Sequence, residues 1–332
     1  MLNKLPKSTI PLHGNYVLRT ESVQMFDTIS LFLPINFIKD TDALEKCLEA
    51  YEDSKFIIDK NGEILTEQYF NNGIQLKMFK SGLKISGSVP RFLYGNNYRF
   101  ASIEDLKLFK KSLEELHNIS LDNAIVRKLD FGLDINVQNN PKHYFRQLQS
   151  SKYYTGLLIY PNSITFCNSN RRKILYDKSL KGLSSNNRIR FEIRYKKRYL
   201  DRIFKEDMSL KDLFKHNNQR IFIECIDDEF KSINKLASVS YNPTEILTPK
   251  DFNKLVLGYF IENRGLKNVE HLIEEIFETG GLNNVKNVYR LKSKYRRIAN
   301  SIGRDKSTQS LYDELYSKMI TNIETAKTRI VN

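Results

Sequence analysis

The 332-residue sequence contains no tryptophan, three cysteines, five histidines and eight prolines. Cys47, Cys167 and Cys225 are odd in number and widely spaced, so neither a disulfide framework nor a Cys-x-x-Cys zinc site is expected, and a reducing cytosol fits. His13, His117, His143, His216 and His271 stand alone, which disfavours a nickase built on a His-x-His metal pair. Long apolar runs are missing too. The longest, over 29–38, is interrupted by Pro34 and Asn36, and the opening MLNKLPKSTIPLHGN has no apolar h-region. Neither a signal peptide nor a membrane span is expected. No heptad array, solenoid repeat or low-complexity tract occurs.

Positive charge is what the chain has in excess, with a formal balance of +14. It is concentrated rather than spread. Residues 171–200 hold eleven Lys and Arg against Asp177 and Glu192, and residues 286–306 hold eight against Asp305. Outside these windows the chain is close to neutral. Aromatic residues are interleaved with the cations: Tyr176, Phe191, Tyr195 and Tyr199 in the first window, Tyr289 and Tyr295 in the second. Cations that neutralise phosphates beside rings that stack on unpaired bases are what nucleic acid binding requires. The candidate DNA contacts of the first window are Arg171, Arg172, Lys173, Arg188, Arg190 and Arg194, followed by Lys196, Lys197 and Arg198. Those of the second are Lys292, Lys294, Arg296 and Arg297.

Hydrophobic periodicity divides the chain. Strands are expected over 26–33 (FDTISLFL), 56–58, 74–79 and 82–87, followed by irregular chain in SVPRFLYGNNYRF. Ser102 with Asp105 forms a capping box, and Leu106, Phe109, Leu113 and Leu116 recur at helical spacing over 103–117. KLDFGLDINV then alternates, with one apolar face and one carrying Asp130 and Asp134. A short helix starts at Pro141, a hairpin turns at Pro161-Asn162, and KILYD, a loop over 182–187 and RIRFEIRY follow. In RIRFEIRY, Arg188, Arg190, Glu192 and Arg194 share one face. Beyond about Asn217 helices dominate, with stops at Gly265, Gly280-Gly281 and Gly303. Two of them, joined by a glycine-containing turn, admit a helix-turn-helix as well as a plain helical hairpin. The expectation is an α+β domain over 1–217, built on an antiparallel sheet with flanking helices, and a helical, basic domain over 218–332.

If the strands carrying Asp130, Tyr176 and Glu192 are neighbours, carboxylates, a tyrosine and cations converge. Carboxylates without His or Cys companions favour a hard divalent ion, Mg²⁺ or Mn²⁺. Residues four apart on a strand lie about 13 Å apart, so Asp130 pairs better with Glu192 than with Asp134. A tyrosine flanked by a metal, Lys178 and arginines can attack a phosphodiester, because those charges favour phenolate and stabilise the transition state. On spacing alone an ordinary strand tyrosine in a basic face remains open.

The order of these stretches resembles the filamentous-phage gene II replication initiators, which nick and close DNA in rolling-circle replication, and is more distantly similar to plasmid rolling-circle initiators. The pieces that carry the resemblance are FDTISLFLP, LKISGSVPRFLYGNN, the KLD of Lys128 to Asp130, the Tyr176-Asp177-Lys178 strand and RFEIRYKKRYL. A looser likeness extends to VYRLKSKYRRIANSIG. The resemblance implies a nucleophilic Tyr176 and a matching Lys178. Asp130 and Glu192 match the family's acidic positions, and metal binding is assigned to them on chemical grounds. Lys128 stands where the family usually has arginine, which keeps the charge and loses the two-pronged fork. Implied partners are origin DNA, a host helicase and a polymerase in the cytoplasm of a bacterial host. A mobilisation relaxase and a non-catalytic DNA-binding replication regulator are the alternatives.

Overall fold

The computed structural model describes residues 23–331 except 50, 52, 59–63, 180–186, 236–247, 265, 282–283 and 302–305. The N-terminal segment, most of the loop expected over 182–187 and the stops at Gly265 and Gly303 lie outside the described residues. The strands are β1 (Phe26–Pro34), β2 (Ser54–Ile58), β3 (Ile64–Asn71), β4 (Ile74–Phe79), β5 (Gly82–Ser88) and β6 (Ile125–Asn136). They continue with β7 (Leu148–Ser151), β8 (Gly156–Tyr160), β9 (Ser163–Cys167), β10 (Arg171–Asp177), β11 (Arg188–Lys196) and β12 (Ile233–Lys235). The helices are α1 (Thr41–Glu49), α2 (Val89–Tyr94), α3 (Ile103–His117), α4 (Pro141–Phe145), α5 (Lys197–Phe204) and α6 (His216–Lys231). Four more follow: α7 (Pro249–Arg264), α8 (Leu266–Glu278), α9 (Val285–Ser301) and α10 (Lys306–Val331).

Ten strands form one sheet in the order β2-β3-β4-β5-β1-β6-β11-β10-β9-β8, every pairing antiparallel. The chain is therefore α+β with a large antiparallel sheet, as expected. Two compact units are present. The first comprises Met1–Pro141, Tyr153–Ser232 and Lys318–Asn332, and the second Lys142–Lys152 and Ile233–Ser317. Each unit is discontinuous in sequence: β7 joins β12 in the second unit, α10 from Lys318 onward belongs to the first, and α6 lies with the first unit.

Local chemistry explains the elements. Ser102 accepts from the Asp105 backbone and Asp105 from the Ser102 backbone, which starts α3 where the capping box places it. Strands β3 and β4 are joined through Asn72-Gly73, both left-handed at φ 44° and 80°, a turn whose twist matches a hairpin. SVPRFLYG was expected to be irregular, yet Val89–Tyr94 is a helical turn and a half. Ser88 caps it, Pro90 fits its first turn, and Gly95 closes it at φ 72°. Its Phe92 packs edge-to-face on Phe109 of α3. Phe222 of α6 meets Phe26 and Phe131, Phe230 meets Phe191, and Phe204 of α5 meets Phe222. Helices α5 and α6 thus cover the sheet face formed by Phe131, Phe191 and Tyr195, and the opposite face is left to the polar residues.

Candidate active site

The three strands that carry the acidic residues and the tyrosine are adjacent: β6, β11, β10. On one face Asp130 stands opposite Arg194, Gly132 opposite Glu192, and Asp134 opposite Arg190. Across the next pairing Arg190 stands opposite Tyr176 and Glu192 opposite Ile174. Alternation puts Arg172, Ile174 and Tyr176 on this same face. Gly132 lets the strands close: a Cβ there would fall 1.9 Å from the Phe191 carbonyl oxygen, directly beside Glu192.

The Tyr176 hydroxyl donates to Glu192 Oε2 at 3.2 Å. Glu192 is buried, and its carboxyl is pushed up to about 7 by that burial and by the nearby charges of Asp130 and Asp27. Arg194 bonds Asp130 Oδ2 at 2.9 Å, Lys128 reaches the same oxygen at 3.1 Å, and burial still raises the Asp130 carboxyl. Asp130 Oδ1 is buried without a hydrogen-bond partner. Burial and the Glu192 charge push the Tyr176 phenol up, against Arg190, which lowers it. Arg190 thus acts on the phenol in the direction expected of a cation, and burial outweighs it. Lys178 is buried, donates to the Asn97 carbonyl at 2.7 Å, and sits 5.8 Å from the centre of the Tyr176 ring.

Asp27 completes the cluster and was not among the residues singled out. It is buried on β1, accepts from Ser88 Oγ at 2.8 Å and lies 3.9 Å from Arg190. The β1–β6 register shifts between Phe26 and Ile29, an irregularity that frees this side chain from the regular alternation. Its signal was present in FDTISLFLP, where it is the sole charged residue. The loop after α2 matters too. Arg190 is fully buried, forks onto Asp134 at 2.6 and 2.9 Å, donates to the Asn97 and Tyr98 carbonyls, and lies over the Phe100 ring.

The predicted DNA contacts separate accordingly. Arg190 is not a surface cation, because Asp134 and the loop carbonyls occupy its guanidinium. Lys173 is fully buried on the opposite face, where it binds Glu229 and Ser232 of the α6 end. Arg171 shares that face and pairs with Glu229 at 2.6 Å. Both were expected at DNA, and both instead anchor α6. Arg172 is exposed and Arg188 and Arg194 are half-buried on the Tyr176 face. Lys196 is exposed and donates to the Ser169 carbonyl, Lys197 pairs with Asp201 and Asp207, and Arg198 is exposed. On α9, Lys292 and Arg296 pair with Glu274 and Glu270, and Lys294 and Arg297 are exposed.

The donor chemistry around Glu192 fits a hard divalent ion: carboxylates only, with one orphaned oxygen on Asp130. Among the described residues no three His, Cys, Asp or Glu side chains are grouped closely enough to hold one ion as they stand. His117 is buried between Tyr51 and the Leu113 carbonyl, a core histidine. No described helix is long and apolar enough to cross a membrane.

No protein-family model matches the chain, and no curated protein sequence is similar to it. Among solved structures, the chain is similar to the rolling circle replication initiator protein from Geobacillus stearothermophilus. The match has 12% identity and a TM-score of 0.34, and it covers 70% of this chain and 94% of that one, a level of likeness that carries no functional weight.

Proposed function

We propose that the chain is a replication initiator of the rolling-circle type, which nicks one DNA strand through Tyr176 and later rejoins it. The observation that carries this is the meeting of Tyr176, Glu192 and Asp130 on one face of three adjacent strands, with the phenol hydrogen-bonded to Glu192 and Asp27 close by on the neighbouring strand β1. The order of motifs from FDTISLFLP to RFEIRYKKRYL points the same way.

The chemistry follows from the contacts. Glu192 accepts the phenol proton, Tyr176 Oη forms a bond to phosphorus, and the bond to the 3′ oxygen breaks. That oxygen leaves with the electron pair and takes up a proton, so a 5′-phosphotyrosine and a free 3′-hydroxyl result. The phosphodiester energy is kept in the protein link, and reversal rejoins the strand. Arg172 and Arg194 flank the site and hold the phosphate chain. Lys178 and Arg190 act as positioning residues, pinned to the Asn97 carbonyl and close to the tyrosine. A Mg²⁺ or Mn²⁺ ion held by Asp130 and Glu192 would supply positive charge at the reacting phosphate.

A non-catalytic DNA-binding regulator is favoured by one observation, the raised phenol of Tyr176. Covalent capture separates the two. The full chain is incubated with a single-stranded DNA library and Mn²⁺, denatured in SDS, and the attached DNA is sequenced, beside Tyr176→Phe. An adduct that needs the metal and vanishes in the variant is expected. Reversible binding by both proteins, with no adduct even on supercoiled DNA, sinks the nicking mechanism. A mobilisation relaxase shares the chemistry and would differ in the origin sequence captured.

A further inference from the structure

In the second unit, α7, α8 and α9 share a core of Ile261, Val269, Ile273, Val288 and Ile298. The ion pairs between α8 and α9 define their alignment. Lys292 binds Glu274 and Arg296 binds Glu270, so a step of four residues up one helix is a step of four down the other. These helices form an antiparallel hairpin, not the steeply crossed pair of a helix-turn-helix. The two cations nearest α8 are therefore tied to its carboxylates.

The rest of α9 is different. Helix α9 contains no acidic residue, and Lys286, Arg290, Lys294 and Arg297 are all exposed. At steps of four, four and three they lie in one exposed stripe that flanks the apolar face of buried Val288 and Ile298 and partly buried Leu291 and Tyr295. Among the described residues no carboxylate pairs with any of the four, although α8 supplies two to their neighbours. The stripe runs about 16 Å along the helix. Four cations on a rigid line match a row of phosphates, and a single α-helix fits the major groove of B-DNA, about 12 Å wide. Among the described residues Tyr289 is the one exposed ring on α9, which favours a duplex over a row of stacked, unpaired bases.

We infer that the outward face of α9, formed by Lys286, Arg290, Lys294 and Arg297, is a docking surface for duplex DNA, with Lys292 and Arg296 serving the hairpin instead. This deepens the proposed function by giving the enzyme a grip on the double helix that is separate from the Tyr176 site, and it rests on that function only in taking DNA as the partner.

The test is fluorescence anisotropy of the full chain on a labelled 20-base-pair duplex across a salt series. Each phosphate contact contributes about 0.9 to the slope of log affinity against log salt. Arg290→Gln/Arg297→Gln is expected to weaken duplex binding at least tenfold at low salt and to flatten the slope by about 2. Lys292→Gln/Arg296→Gln is expected to leave the slope unchanged and to lower the melting temperature. Circular dichroism reports whether each variant folds, and Lys294→Gln alone, expected to flatten the slope by about 1, replaces any double variant that does not. An unchanged slope in the stripe variant, or equal flattening in the hairpin variant, overturns the inference. So does an effect seen only on the single strand of the same sequence or only on phosphatidylglycerol vesicles. Adduct formation on a short single strand is measured in parallel. Loss of the adduct chemistry in wild type with the duplex slope intact would refute the nicking mechanism and leave the α9 surface standing.

Discussion

Glu229 of α6 offers the sharpest check on where the cations of β10 point. Its carboxylate lies 2.6 Å from Arg171 and 3.1 Å from Lys173, and it also accepts from the Tyr195 hydroxyl. Lys173 is fully buried, and that burial lowers its ammonium to about 8, with Glu229 pulling the other way and Arg171 adding to the fall. Replacing Glu229 by Gln keeps the volume and removes the compensating charge. Lys173 then escapes by losing its proton, and near pH 7 that step costs about 1 kcal/mol from a starting value of about 8. Arg171 has no such escape, and loss of a charge-assisted hydrogen bond adds about 2 kcal/mol. The expected destabilisation is about 3 kcal/mol near pH 7, read from urea unfolding midpoints. The sign of the pH dependence follows from linkage. The folded-state value of Lys173 is depressed, so between about 8 and 10 the unfolded chain binds more protons and wild-type stability gains from rising pH. Near pH 9 Lys173 is largely neutral in the wild type already, so the Glu229→Gln penalty shrinks by about 1 kcal/mol there. A penalty below about 1 kcal/mol, or one that grows with pH, would show that Arg171 and Lys173 are not held beneath α6. Lys173→Met provides the complementary measurement: loss of DNA affinity without loss of structure would restore it to the DNA surface.

Other consequences concern the site itself. Gly132→Ala places a methyl group against the Phe191 carbonyl and forces β6 from β11. It is expected to cost about 3 kcal/mol by the same unfolding assay and to abolish adduct formation, and a stable, active variant would contradict the close strand approach. Glu192 has its folded-state value raised to about 7 from an ordinary 4.5, so the folded state binds the extra proton and the stabilising contribution is lost as pH rises through 7. Glu192→Gln is expected to remove a loss of about 3 kcal/mol between pH 4.5 and 7.5 in metal-free protein, and equal slopes in the two proteins would count against the buried carboxyl. Mn²⁺ is expected to raise the wild-type melting temperature more at pH 7.5 than at pH 5, with the gain absent in Glu192→Gln.

Much of this protein is legible in local sequence because local geometry is periodic. Alternation in KLDFGLDINV and RIRFEIRY assigns each residue to a face, Ser102 and Asp105 mark the start of α3, and the two basic windows show where positive charge is concentrated. The Asn72-Gly73 turn carries a signal of the same local kind that the strand reading above passed over, since few residue pairs adopt two left-handed conformations in succession. What the sequence determined by itself was thus which side chains share a strand face and which segments carry the charge. Only the tertiary structure decided that β6, β11 and β10 are adjacent, that Asp27, at a register shift of β1, lies beside Arg190, and that Lys173 and Arg190 are interior while Arg172 is not. The physical reason is that strand order and burial depend on contacts between residues far apart in the chain, here β1 with β6 and α6 with β10, and a charge run looks the same in sequence whether a helix covers it or water does.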